Sequence, residues 1–135
     1  MIVDTSALLA FFDTDEPDHV AVASVLERAD EPLIVSPYVV AELDYLVGSR
    51  LGVTAELVVL DELTSGAWEL PSFGSEDLVG ARAIVERYAD QAIGIADASN
   101  VVLAARYRTR TIATLDRRHF EVVRPTGGGR FSIVP

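Results

Sequence analysis

Four acidic residues, Asp4, Glu42, Asp97 and Asp116, stand beside apolar segments rather than in charged surface runs. Asp4 directly follows Ile2 and Val3, and a second apolar run, Ala7 to Phe12, begins just after Thr5 and Ser6. A free carboxylate at the end of a buried run is costly unless it is paired. Asp97 follows Ile93-Gly94-Ile95-Ala96, and Asp116 follows Thr111–Ala113 by way of Thr114 and Leu115. Glu42 falls roughly one and a half turns into a helix opened by Ser36-Pro37. Carboxylates held close together repel, and their pKa values rise unless a cation compensates. An oxygen-only set without His or Cys suits Mg²⁺ or Mn²⁺. A cation so held activates water and stabilises a leaving oxygen, which is the chemistry of phosphoryl transfer and phosphodiester cleavage. Taken singly, each acid also fits an ordinary role: Asp4 as a cap of the helix that follows, Asp97 as a helix cap, Glu42 as a solvated helix residue, Asp116 as the start of a turn with Arg117; the ordinary role is weakest for Asp4, which directly follows a buried run.

The elements that must position these acids read as short apolar strands alternating with helices. Strands are expected at Met1–Asp4, Leu33–Val35, Ala67–Leu70, Thr111–Ala113 and Phe131–Val134. Helices are expected over Ser6–Phe12, His19–Ala29, Pro37 to about Val47, Thr54–Leu63, from Ser75 through Tyr88, and Ala98 to about Arg106, with Asp97 just ahead of the last. Gly48–Gly52 reads as a turn. The order is that of an α/β domain with a mostly parallel sheet and helices on both faces. Its strands, buried on both sides, read as continuous apolar runs. Ligands in such sheets bind outside the carboxyl ends of the strands, near a topological switch point. The four acids converge there if their elements are neighbours.

Composition narrows the chemistry further. The chain of 135 residues is half apolar, enough for one domain with a proper core, and shows no repeat or linker. It has no cysteine, which excludes disulfides, thiolate zinc sites and cysteine nucleophiles. All 11 basic residues are arginine, which excludes Schiff-base chemistry and a P-loop lysine. No basic segment precedes the first apolar run, and no uncharged stretch approaches the ~18 residues that span a bilayer, so a cytoplasmic protein without membrane partners is expected. The net charge of -10 opposes simple nucleic-acid binding, but it is unevenly spread. Residues 1–100 hold 4 Arg against 19 acids, and residues 101–135 hold 7 Arg against 2 acids. Such asymmetry points to an anionic partner, although helix C-termini also favour Arg.

Asp4 in IVDTSALLA, Glu42 in SPYVVAELDYL, Asp97 in IADASNVVLAA and Asp116 in IATLDRRHF resemble the four acidic motifs of PIN-domain ribonucleases. The length, the motif order and the C-terminal strand resemble a VapC-type toxin of a bacterial toxin–antitoxin pair, over essentially the whole chain. The resemblance implies a single PIN domain over 1–135 with a central five-stranded sheet, and a homodimer. It also implies Mg²⁺- or Mn²⁺-dependent endonucleolytic cleavage of structured RNA such as tRNA or rRNA, and a VapB-type antitoxin that blocks the site. Within it, Asp4 and Asp97 are assigned direct metal contact. Glu42 and Asp116 are assigned metal-bound waters or a second ion. Thr5, Ser6 and Thr114 would hydrogen-bond the carboxylates, and Arg117 and Arg118 would hold RNA phosphates. His119 is expected to be a partly packed surface residue, and Tyr38, Tyr45 and Trp68 to pack in the core or a dimer surface.

Other readings of the same architecture fail on single residues. A receiver domain needs a lysine, a haloacid dehalogenase needs an acid where Ser6 stands, and a dinucleotide fold needs glycines that DTSALL lacks. The reading that remains beside a nuclease is a non-catalytic RNA- or protein-binding module.

Overall fold

The computed structural model describes all residues, Met1–Pro135. Its elements run β1 (Ile2–Val3), α1 (Thr5–Phe12), α2 (His19–Glu27), β2 (Leu33–Ile34), α3 (Pro37–Leu51), α4 (Val53–Leu63), β3 (Trp68–Glu69), α5 (Ser75–Arg87), α6 (Ile95–Arg106), β4 (Thr111–Ala113), α7 (Arg117–Val122) and β5 (Ser132–Val134). A short 3₁₀ turn, Ala89–Gln91, joins α5 to α6. The five strands form one sheet in the order β3-β2-β1-β4-β5, and every pairing is parallel. The α/β reading with a five-stranded sheet flanked by helices is therefore correct.

Alternation along each strand splits the core in two. Val3, Val35 and Ala113 face one side, where Leu8 of α1, Leu43 of α3 and Val59 of α4 pack against them. Ile2, Ile34 and Ile112 face the other, against Ala81 of α5, Val101 and Leu103 of α6 and Phe120 of α7. Two covered faces explain why the strands carry no polar alternation.

The chain winds outward from β1 to β2 and β3, then returns to β1's other side with β4 and β5. The switch point thus lies between β1 and β4, where a crevice opens at the carboxyl ends of the strands.

Three local expectations need correction. Gly48–Gly52 is not a turn: α3 continues to Leu51, and the break falls at Gly52, whose φ of 86° and ψ of 171° suit glycine almost alone. Asp97 is not ahead of α6 but is the third residue of its first turn, because Gly94 takes the cap position. Arg117–Val122, not anticipated as helical, forms α7; it is too short for a periodic apolar pattern to reveal.

Candidate active site

Strand register sets the first contact. Val3 pairs with Ala113, so the next residues, Asp4 and Thr114, meet across the switch point. The ladder continues there, with the Asp4 N–H donating to Ala113 O at 3.0 Å and the Thr114 N–H to Val134 O at 3.0 Å. Asp4 and Thr114 share the strand face of Ile2 and Ile112, which is the α6 side of the sheet.

The Asp4 carboxylate is 6% exposed and held on both oxygens. Thr114 Oγ1 donates to Oδ2 at 2.8 Å and Ser6 Oγ to the same atom at 3.0 Å. Asn100 Nδ2, from α6, donates to Oδ1 at 3.1 Å. The two hydroxyls are in turn fixed by backbone: Ser6 Oγ accepts from Leu115 N at 2.9 Å, and Thr114 Oγ1 from Asp116 N at 3.1 Å. Asp4 precedes α1 yet makes no side-chain capping bond, so a capping role does not account for it. Burial pushes its carboxyl above the usual carboxylate range, against the pull of the Thr114 and Ser6 hydroxyls.

Asp97 and Glu42 complete the nearer wall. Asp97 accepts the Gly94 N–H at 3.3 Å, so it does serve its helix start while facing the cleft. Burial first, then the charge of Asp4, raises its pKa, and His119 opposes them. His119 Nδ1 lies 3.0 Å from Asp97 Oδ2. Glu42, exposed on α3, accepts from Thr5 Oγ1 at 2.6 Å. Ser36 Oγ receives the Tyr38 N–H at the start of α3 and bonds Ser99 Oγ of α6 at 2.6 Å. That buried pair sets Glu42's helix against Asp97's.

Asp116 stands on the far rim, at the start of α7. Arg118 grips both its oxygens at 3.2 Å, and this hydrogen bonding holds its carboxyl below the usual range. Arg117 turns aside, donating to Pro135 O at 3.0 Å and lying 3.8 Å from Glu121.

All four acids line one open cleft of about 740 Å³, together with Thr5, Ser6 and His119. They share its walls without clustering tightly: no three acidic or imidazole side chains converge on one point as they stand. The donor set is nevertheless what a hard divalent cation takes. It offers carboxylate oxygens of Asp4 and Asp97 raised first by burial and then by neighbouring carboxylate charge, with no lysine in the chain to compensate them. Beside them Asn100 Oδ1, a buried oxygen, accepts no hydrogen bond.

Asn100 was not legible as a site residue. Its only signal is the three-residue spacing from Asp97, which places both on one helix face. Of the aromatic residues, Trp68 is buried against Phe11 and Phe12, as expected of core packing. Tyr45 is not in the core: it is 73% exposed at the cleft wall.

The family model for the PIN domain matches residues 1–125. A curated relative, ribonuclease VapC26 of Mycobacterium tuberculosis, is 64% identical over 135 residues, covering 100% of both chains. Among solved structures, the M. tuberculosis VapC20 toxin, which cleaves the sarcin–ricin loop, superposes with a TM-score of 0.84 at 16% identity, over 99% of this chain and 98% of that one. DNA-bound VapBC from Salmonella typhimurium gives 0.71 at 19% identity, over 98% and 96%. With a PIN-domain match across most of its length and a ribonuclease relative aligned end to end, the chain belongs to the VapC family of PIN-domain ribonuclease toxins of toxin–antitoxin systems.

Proposed function

We propose that the protein is an endoribonuclease that uses Mg²⁺ or Mn²⁺ to cleave structured RNA such as tRNA or rRNA, acts as a homodimer, and is restrained by a cognate VapB-type antitoxin. The observation that carries this reading is Asp4: a buried carboxylate at the switch point, held on both oxygens, made unfavourable by burial, and lining one open cleft with Asp97, which feels its charge.

Asp4 and Asp97 are the residues that would hold the cation directly, and Glu42 and Asp116 would reach it through water. Bound there, the cation supplies an activated water and neutralises charge on the leaving oxygen. Thr114, Ser6 and Asn100 fix the Asp4 carboxylate in one orientation at the cleft wall. Thr5 does the same for Glu42. Glu42 orients the attacking water from the α3 wall. Arg118, 83% exposed, is free to exchange its surface pairing with Asp116 for an RNA phosphate, and Arg117 would reach a neighbouring one by giving up its exposed contacts with Pro135 O and Glu121.

The test is incubation of antitoxin-free protein with total RNA, in Mg²⁺, in Mn²⁺ and in chelator, beside Asp4→Ala. Discrete fragments that require both metal and Asp4 are expected. Full cleavage by Asp4→Ala overturns the site. No cleavage in either metal overturns the nuclease and returns the fold to the binding-module reading.

A further inference from the structure

The cleft does not use most of the arginines. Of the 11, Arg82, Arg106, Arg117 and Arg118 are ion-paired. Five of the other seven, Arg87, Arg108, Arg110, Arg124 and Arg130, line three adjoining hollows outside the cleft, with Arg110 and Arg130 just ahead of β4 and β5 at their amino ends and Arg87 at the end of α5. Hollows of about 400 and 430 Å³ adjoin there, sharing Ala105 and Thr126. Arg108 and Arg110 line the first, Arg87 and Arg124 the second, and neither contains an acid. A third, of about 360 Å³, continues past Arg124 to Arg130 with Glu121 as its one carboxylate. In a chain of net charge -10, a band of five unpaired cations is a deliberate field of opposite sign.

Two details show that the band is not merely a helix end attracting positive charge. The first is Arg108. After α6 the Thr109 N–H donates to Ala104 O and the Arg108 N–H to Ala105 O, which is the Schellman arrangement that closes a helix. Its left-handed position normally holds glycine, yet Arg108 occupies it at φ 53° with its side chain in solvent. The second is Arg124, whose Nη1 is buried without a hydrogen-bond partner on a residue lining two of the hollows. Turned outward into either hollow, the half-buried side chain would find the missing acceptor in a phosphate oxygen. Nearby, Arg110 lies across Gly129, where a Cβ would come within 2.8 Å of Nη1, so the glycine leaves the guanidinium its place.

We infer that this arginine band is a second RNA-binding surface, which grips the phosphate backbone of the substrate away from the cleavage site. The inference rests on the ribonuclease reading for the identity of its ligand. Arg108 lies eleven residues beyond Asp97 along α6 and its cap, roughly 16 Å at 1.5 Å per residue. A folded or extended RNA spans both surfaces and a dinucleotide does not, so the band selects for size and shape rather than sequence.

The test is fluorescence anisotropy of the full chain with a labelled RNA hairpin of arbitrary sequence, in chelator, across a salt series, with melting temperatures alongside. Arg108→Gly is expected to lower affinity several-fold and flatten the slope of log K against log salt by about one unit. Its melting temperature is expected to hold or rise, because glycine suits the left-handed position. A merely structural Arg108 would show neither change in binding. The combined Arg110→Gln, Arg130→Gln variant, at exposed positions, is expected to remove about two further units. Unchanged affinity and slope in both variants overturn the band, as does preference of the wild type for a poly-glutamate peptide over RNA, which would mark it for an acidic protein segment. Since binding is read without metal, loss of the nuclease reading shows separately, as absent cleavage with band-dependent binding intact.

Discussion

Asp4 pays for its position in stability, and this makes the site testable without any substrate. Its folded-state pKa, like that of Asp97, lies above the unfolded value because burial disfavours the charge. Such a group lends its full stability below the unfolded pKa and loses it as pH rises through the folded one. At neutral pH, without metal, Asp4→Asn is therefore expected to melt higher than the wild type, by a margin that grows from mildly acidic to neutral pH. The same variant is expected to have lost cleavage. Calorimetric melting across that range checks the sign, and a wild type that stays ahead at neutral pH contradicts the account of Asp4. Thr114→Val should behave oppositely in stability: it removes one of two hydroxyl donors to Oδ2 and is expected to cost about 1–3 kcal/mol. Cleavage should fall about 10- to 100-fold, as for the loss of a group that orients a ligand. At this scale the acids were readable because each interrupts a local apolar run. Asn100 and the grip of His119 on Asp97 were not readable, since they join residues far apart in the chain.

Among the elements, the joints matter more than the helices themselves. Ser36 begins α3 and, through Ser99, ties it to α6, so one hydroxyl pair sets the spacing between Glu42 and Asp97. Ser36→Ala is expected to cost about 0.5–2 kcal/mol as a lost cap, measured by urea unfolding, with a fall in cleavage exceeding that seen on removing an ordinary cap elsewhere. The Ser36-Pro37 start of α3 is plain in the sequence. The end of α3 is not. Gly48 invites a turn, but a helix already packed on both sides absorbs one glycine at about 1 kcal/mol. The chain breaks instead where Gly52 can adopt a backbone closed to other residues. Asp97 differs from its expected place for a related reason: an acid capping a helix from just ahead of it and an acid at its third position both satisfy free N–H groups, and spacing alone does not separate them.

Across the whole molecule, charge is divided between the two ends of the sheet. The acidic cleft lies at the carboxyl ends of the strands, while Arg108, Arg110 and Arg130 of the arginine band stand just ahead of β4 and β5, at their amino ends. The concentration of Arg after residue 100 was visible in the sequence, but the strand order that sends most of it away from the cleft was not. No helix is long and apolar enough to cross a membrane. Leu78 and Val79 are exposed apolar neighbours on α5, at 45% and 68%. If a second copy covers that face, light scattering will give twice the chain mass, and Val79→Asp will halve it while leaving the fold's circular dichroism unchanged.

Whether the cleft carboxylates hold a divalent cation is read from titration with Mn²⁺, followed by its free-ion paramagnetic resonance. Saturable loss of the free signal is expected with wild-type protein, competed by Mg²⁺ and abolished by Asp4→Asn. Equal Mn²⁺ uptake by wild type and Asp4→Asn would contradict a cation held by these carboxylates.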